Sequence, residues 1–371
     1  MPRPLEGLLV LDFSTLLPGP LATLMLAEAG AEVIKVEKPG GEDMRRFPPM
    51  TQSGSAPYAA LNGGKKSIVA DLKSEEGRRQ IEPLLRRADV LVEQFRPGVM
   101  DRLGLGFAAV RTINPRIVYC SVTGYGQSGP RAQEAGHDIN YQAVTGLLSL
   151  APAMPAALVA DIAGGAMPAV MNILLALRQR DLTGEGIHLD IAMADAMFTF
   201  SWFALAEGAA HGRYPEAGET MLAGGSPRYG LYETADGQHV AVGALEQKFW
   251  DALCAAIDLP AALRRDHVDP AATRAALAEL IEARDAAHWK RVLEPLDCCC
   301  TIVAPLADAV VDPHFKGRGL MDYTAGEGEG GLPMAALPLA PAFRSAPDAA
   351  RPVARVGEHT TSVVDAADPE V

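Results

Sequence analysis

The stretch 136–165, GHDINYQAVTGLLSLAPAMPAALVADIAGG, holds an imidazole at His137 beside a carboxylate at Asp138, then an apolar run, then a lone carboxylate at Asp161. An imidazole and a carboxylate facing one another across a substrate carbon make a two-base proton-transfer site, since both can trade protons near neutral pH. A His-Asp pair is common, however, and an aspartate ahead of a helix is often an N-cap. The setting of Asp161 favours chemistry. Leu158, Val159, Ala160, Ile162 and Ala163 offer nothing to solvate a charge, and function is one reason to keep a carboxylate in such surroundings.

The elements that must position these groups are legible as an alternation. Residues 8–13 read as a strand, Pro18-Gly19-Pro20 opens a helix through 21–29 that stops at Gly30, and 31–37 is a second strand. That β-α-β order predicts parallel pairing. It continues with a strand at 67–72, a helix at 74–87, a strand at 90–95, short helices over 97–113 and a strand at 117–123. A long helix over 161–180 follows, with Gly164, Gly165, Ala166 and Ala169 narrowing its first turns so that a backbone or ligand can approach. Then come a strand at 187–191 and an apolar helix at 192–210. From about 212 the alternation stops: a hairpin with an Asp-Gly turn spans 228–243, and helices at 246–257, 270–283 and 286–293 lead to a cysteine-bearing strand. The expected organisation is a Rossmann-like α/β large domain over 1–190, a linker at 191–225, a small α+β domain at 226–312, and a return linker and tail at 313–371 packing on the large domain. Residues 326–331 read as an exposed turn.

A GxGxxG match at 124–129 is discounted as a dinucleotide fingerprint, because Pro130 follows at once and the match lies several strands past the first βα turn. Cations near strand ends, at Lys38, Arg45-Arg46, Lys65-Lys66, Arg96 and Arg131, suggest an anion site built from loops. Arg96, held between Phe95 and Pro97-Gly98, is the strongest of them.

A formal charge of −13 opposes nucleic acid or an anionic membrane as partner. No uninterrupted apolar run reaches the roughly 20 residues that span a bilayer, and the start lacks signal-peptide features, so a cytoplasmic protein is expected. The five cysteines, three of them adjacent at 298–300, offer no CxxC spacing. They suit reduced thiols on a buried strand better than a metal site.

Several segments resemble the class III CoA-transferase superfamily, the CaiB/BaiF family: LDFSTLLPGP, AEVIKVEKPGGEDMR, GGKKSIVADLKSEEGR, QFRPGVMDRLGLG and SVTGYGQSGP. Three others resemble its α-methylacyl-CoA racemase branch: GHDINY, LVADIAGG, and MLAGGSPRYGLYETADGQHVAVGALEQKFW with Pro227, Tyr229 and Glu246. The resemblance implies an interlocked homodimer with the active site between large and small domains of different subunits. It implies an acyl-CoA substrate whose α-proton is moved through an enolate by His137 and Asp161, with Tyr229 and Glu246 supporting, Lys38 and Arg96 on the CoA phosphates, and no prosthetic group. Asp138 is expected either to hold His137 in one tautomer or to cap the helix starting near Ile139. The N-terminus of the helix at Asp161 is expected to favour the enolate oxygen. The alternative is CoA transfer, with Asp161 as the nucleophile that becomes an aspartyl-CoA thioester. Ala157 stands where racemases often carry an asparagine, and the stretch from His137 to Asp161 is short. Both imply a changed acyl pocket, with 2-methylacyl-CoA the default substrate.

Overall fold

Six short strands, Leu9–Asp12 (β1), Glu32–Glu37 (β2), Lys66–Val69 (β3), Val90–Glu93 (β4), Val118–Thr123 (β5) and Ile187–Ala192 (β6), form one sheet in the order β3-β2-β1-β4-β5-β6. Every pairing in it is parallel. This is the doubly wound Rossmann order, and it reverses between β1 and β4, where such folds open a crevice beyond the strand ends. The computed structural model describes residues 3–52, 54–326 and 331–367; residues 327–330 of the expected turn lie outside them.

Two contact-defined units make up the chain. One comprises Met1–Gln142, Pro155–Met197 and Asp312–Val371; the other, Ala143–Met154 and Phe198–Val311. In the first, Leu9, Leu11, Ile34, Ile68, Leu91, Ile117 and Tyr119 project from one face of the sheet into a buried cluster. Helices Glu75–Arg87 (α2) and Phe107–Ile113 (α3) contribute Ile81, Leu84, Leu85 and Val110 to the same cluster. Ser74 caps α2 by accepting the Gly77 N–H, and the acidic pair Glu75-Glu76 sits where the helix dipole favours it. Residues of the C-terminal segment close the β3 edge, with the His359 N–H donating to Ser67 O and the Val69 N–H donating to Thr360 Oγ1.

On the other face lie helix Pro18–Glu28 (α1) and the long helix Ala160–Thr183 (α5), which packs on α1, β5 and β6. By length and mean composition α5 could cross a membrane, although Asp161, Asn172, Arg178 and Arg180 interrupt its apolar run. Part of it is core: Ala169, Ile173 and Ala176 are buried.

The second unit holds a three-stranded antiparallel sheet of Tyr229–Glu233 (β7), His239–Gly243 (β8) and Cys300–Ile302 (β9), in the order β9-β8-β7. Trp250, Leu253, Cys254, Trp289 and Leu293 pack against it. The cysteine run is only partly a buried strand. Cys298 and Cys300 are buried, whereas Cys299 is exposed with φ 53°, its carbonyl accepting the Gly243 N–H. The expected helix at 192–210 breaks at Ser201 into Met193–Phe200 and Trp202–His211.

Candidate active site

The crevice between β1 and β4 opens into a cavity of about 470 Å³ whose walls include Leu16, Phe95, Arg96, Tyr125, His137 and Asp161. The two groups singled out from their chemistry therefore share one chamber. Leu16, in the turn from β1 to α1, has φ 62°, a conformation costly for a branched residue and typical of places where the surroundings dictate the backbone. From β4, Gln94 Oε1 accepts the Gly19 N–H at 3.0 Å. One of the orphan donors at the start of α1 is thus satisfied across the crevice.

His137 immediately precedes helix Asp138–Val144 (α4). Its backbone N–H donates to Asn140 Oδ1 at 2.9 Å, and Tyr141 Oη donates to the Gly136 carbonyl at 2.6 Å. The Tyr141 ring explains two glycines nearby: a Cβ on Gly124 would meet it at 2.5 Å and one on Gly136 at 2.7 Å. Gly124 thus serves side-chain packing, consistent with setting the GxGxxG match aside.

Asp161 sits in the first turn of α5, which is a π-helix over Ala160–Ala166 before α-helix resumes at Met167. Such turns are rare and recur at functional sites. The small residues that follow receive protein, not ligand. A Cβ on Gly164 would lie 2.8 Å from Met193 O, and one on Gly165 would lie 3.0 Å from Pro18 Cβ.

Asp138 is 4% exposed, and neither role expected for it describes its bonds. Oδ1 accepts the Asp161 N–H at 2.9 Å and Oδ2 accepts Gln142 Nε2 at 2.6 Å. The residue therefore ties the His137 segment to the Asp161 segment. The same bond engages the Asp161 N–H, one of the donors at the N-terminus of α5. Burial, and after it the neighbouring Asp138 charge, push the Asp161 carboxyl up to about 6, against an opposing pull from His137.

A second cavity, of about 450 Å³, lies beyond the ends of β1, β2 and β3; Leu16 and Phe95 line both chambers. Lys38 and Lys73 line this second chamber, and Arg96 the first. Lys73 was not among the cations expected at an anion site, although it lies within the GGKKSIVADLKSEEGR segment, in the turn before α2. Lys38 is exposed and 3.0 Å from Asp43 Oδ1. Two other cations assigned to an anion site are structural instead. Lys65 is buried, with Nζ 3.0 Å from Asp12 Oδ2 and donating to Pro20 O, Thr23 Oγ1 and Asn62 Oδ1. Arg45 clamps Glu37 and donates to Ala354 O. Tyr229, 41% exposed, and the exposed Glu246 belong to the second unit, on β7 and just before helix Gln247–Ala256. Among the described residues no group of three His, Cys, Asp or Glu side chains could hold a metal ion.

The family model for CoA-transferase family III matches residues 5–360. The chain is 33% identical to the human (Homo sapiens) alpha-methylacyl-CoA racemase over 97% of its own length and 92% of that protein. It is also 33% identical to the acetyl-CoA:oxalate CoA-transferase of Acetobacter aceti, over 87% and 86%. A crystal structure of a CaiB/BaiF family protein from Brucella suis superposes with a TM-score of 0.84 at 29% identity, covering 99% of this chain and all of that one.

Proposed function

The chain belongs to CoA-transferase family III, whose members include acyl-CoA racemases and CoA-transferases, and from that premise we propose that it is a racemase or epimerase of acyl-CoA thioesters. The observation that carries this reading is the single chamber shared by His137 and by an Asp161 whose carboxyl sits at about 6. A two-base exchange needs each partner to be acid in one direction and base in the other, and a carboxyl in that range can serve as both. His137 takes the α-proton from one face while Asp161 delivers one to the other, through an enolate. Arg96 and Lys38 meet the CoA phosphates, with 2-methylacyl-CoA the default substrate and a homodimer the working form.

CoA transfer is the second reading, favoured by the transferase similarity and by a half-buried carboxylate at the same place. There Asp161 attacks the thioester carbon, CoA leaves as thiolate, and its return to the aspartyl anhydride releases the acid and leaves an aspartyl-CoA thioester. Incubation with acyl-CoA in D₂O without any acceptor acid separates the two. Deuterium entering at the α-carbon, with racemisation lost in His137→Ala and Asp161→Ala, is the expected result. CoA movement to an added carboxylic acid without α-exchange, with hydroxylamine-sensitive labelling of Asp161, overturns it.

A further inference from the structure

Behind the catalytic chamber, across the sheet, lies a smaller polar cavity of about 170 Å³ lined by Glu93, Arg96, Asp101, Ser121 and His188 among others. Successive strand residues point to opposite faces, and β5 shows this directly: Val122 lines the catalytic chamber and Ser121 the smaller one. Arg96 lines both. It is exposed, enters no ion pair among the described residues, and is followed by Pro97 and by Gly98 at φ 80°. Arg96 therefore borders two chambers and has no ion-pair partner in either among the described residues.

Glu93, at the end of β4, is 4% exposed. Oε2 accepts the Phe95 N–H at 2.8 Å, Ser121 hydrogen-bonds to the carboxyl, and Ser121 Oγ lies 2.9 Å from His188 Nε2. His188 is fixed by stacking on Phe107 and edge contact with Tyr119. We propose that Glu93 is a positioning residue whose protonation state decides which cavity the Arg96 guanidinium serves, and so how tightly the enzyme holds the anionic part of CoA. An ionised Glu93 draws the guanidinium into the smaller cavity; a neutral one releases it to the catalytic side.

The groups facing Glu93 suit this role. Asp101 from the helix after β4 and Asp190 from β6 oppose its ionisation, Tyr119 and Cys120 of β5 feel its charge, and Arg96 is a cation lining the same cavity. Burial above all, then the two aspartates, hold its carboxyl at about 7 against the Ser121 and Phe95 hydrogen bonds. The switch therefore lies in the neutral range. It rests on the proposed placing of a CoA anion at Arg96, but not on racemisation, because CoA must bind in either chemistry.

Equilibrium titration of the full chain with dephospho-CoA tests it. That ligand lacks the 3′-phosphate monoester that would itself titrate, and an Asp161→Asn background removes the other near-neutral carboxyl. From about pH 5.5 to about 8.5, affinity should fall by roughly fivefold or more, the lower range of typical coupling between sites. Glu93→Gln should stay at the tight limit and flatten the profile, with Ser121 and Phe95 still bonded. Arg96→Gln, on the surface and safe for folding, should bind weakly and also be flat. A Glu93→Gln profile as steep as its parent, or a steep one in Arg96→Gln, overturns the switch. Unchanged affinity in Arg96→Gln at every pH overturns both the switch and the placing of CoA at Arg96, yet leaves α-proton exchange untouched.

Discussion

The Asp138 carboxylate accepts the backbone N–H of Asp161 at 2.9 Å, joining the start of α4 to the π-turn of α5 across 23 residues of chain. This one bond has two effects. It sets where the Asp161 carboxyl points, and it places a second negative charge beside it.

The effects separate in two variants. Asp138→Asn keeps an acceptor for the Asp161 N–H and removes the like charge, so the Asp161 carboxyl should fall below about 6 and the acid limb of kcat/KM should move to lower pH with kcat little changed. Asp138→Ala also frees the π-turn. Misplacing a reacting group by about 1 Å can cost about 10²-fold, so kcat should drop on that scale. Equal kcat in Asn and Ala variants would assign Asp138 no positioning role.

His137 and Asp161 should be unequal losses in isotope exchange if each serves one face. With a single enantiomer of substrate in D₂O, Asp161→Asn should slow racemisation by about 10²–10⁴-fold, the usual contribution of a positioned acid or base. Exchange without inversion should persist for the enantiomer whose proton His137 removes. His137→Gln should show the mirror pattern. Loss of exchange from both enantiomers in both variants would argue against a two-face arrangement.

The sheet was legible in the sequence because its cause is local. Pro18 opening α1, Gly30 ending it, and alternating strand residues such as Ile34 and Val36 reveal each element within a few positions. What escaped depends on distant partners. Lys65 reads as a loop cation until Asp12, 53 residues earlier, is seen beneath it. The π-turn follows from Gly164 and Gly165 meeting Met193 and Pro18, and Asp138 has no local sign of its bond to Asp161. His137 and Asp161 do line one cavity; of the two, Asp161 carries a local sign in its apolar neighbours Leu158, Val159, Ala160, Ile162 and Ala163.

Gly164→Ala tests that π-turn. A methyl group 2.8 Å from the Met193 carbonyl must push backbone against backbone, and overpacking of this kind costs about 1–3 kcal/mol. A fall in thermal midpoint together with a fall in kcat of tenfold or more is expected, because the shifted turn carries Asp161. A variant as active as its parent would show that the placing of the Asp161 carboxylate does not depend on this packing.

Asp12 governs stability rather than chemistry. Buried at the end of β1, it lies 3.0 Å from Lys65 Nζ and 4.0 Å from Lys35 Nζ, and accepts from Thr23 Oγ1 at 2.6 Å and from Ser14. Burial alone would raise its carboxyl, but the two ammonium groups and the hydroxyls together hold it far below the ordinary 3.8. With the folded value depressed, the unfolded chain binds the proton first as pH falls. Its contribution is therefore complete above 3.8 and is lost progressively below it. Removing one member of a buried charge cluster leaves the others uncompensated, at a cost of about 3–5 kcal/mol. Asp12→Ala should therefore unfold at markedly lower denaturant at pH 7 and lose the steep acid dependence between about pH 4 and 2. Asp12→Asn, which keeps hydrogen-bonding capacity without the charge, should fall between them. If Asp12→Ala were as stable as the parent at neutral pH, the two buried lysines would have to be neutral or relocated, and the charge cluster would not be what fastens β1 to β2 and α1.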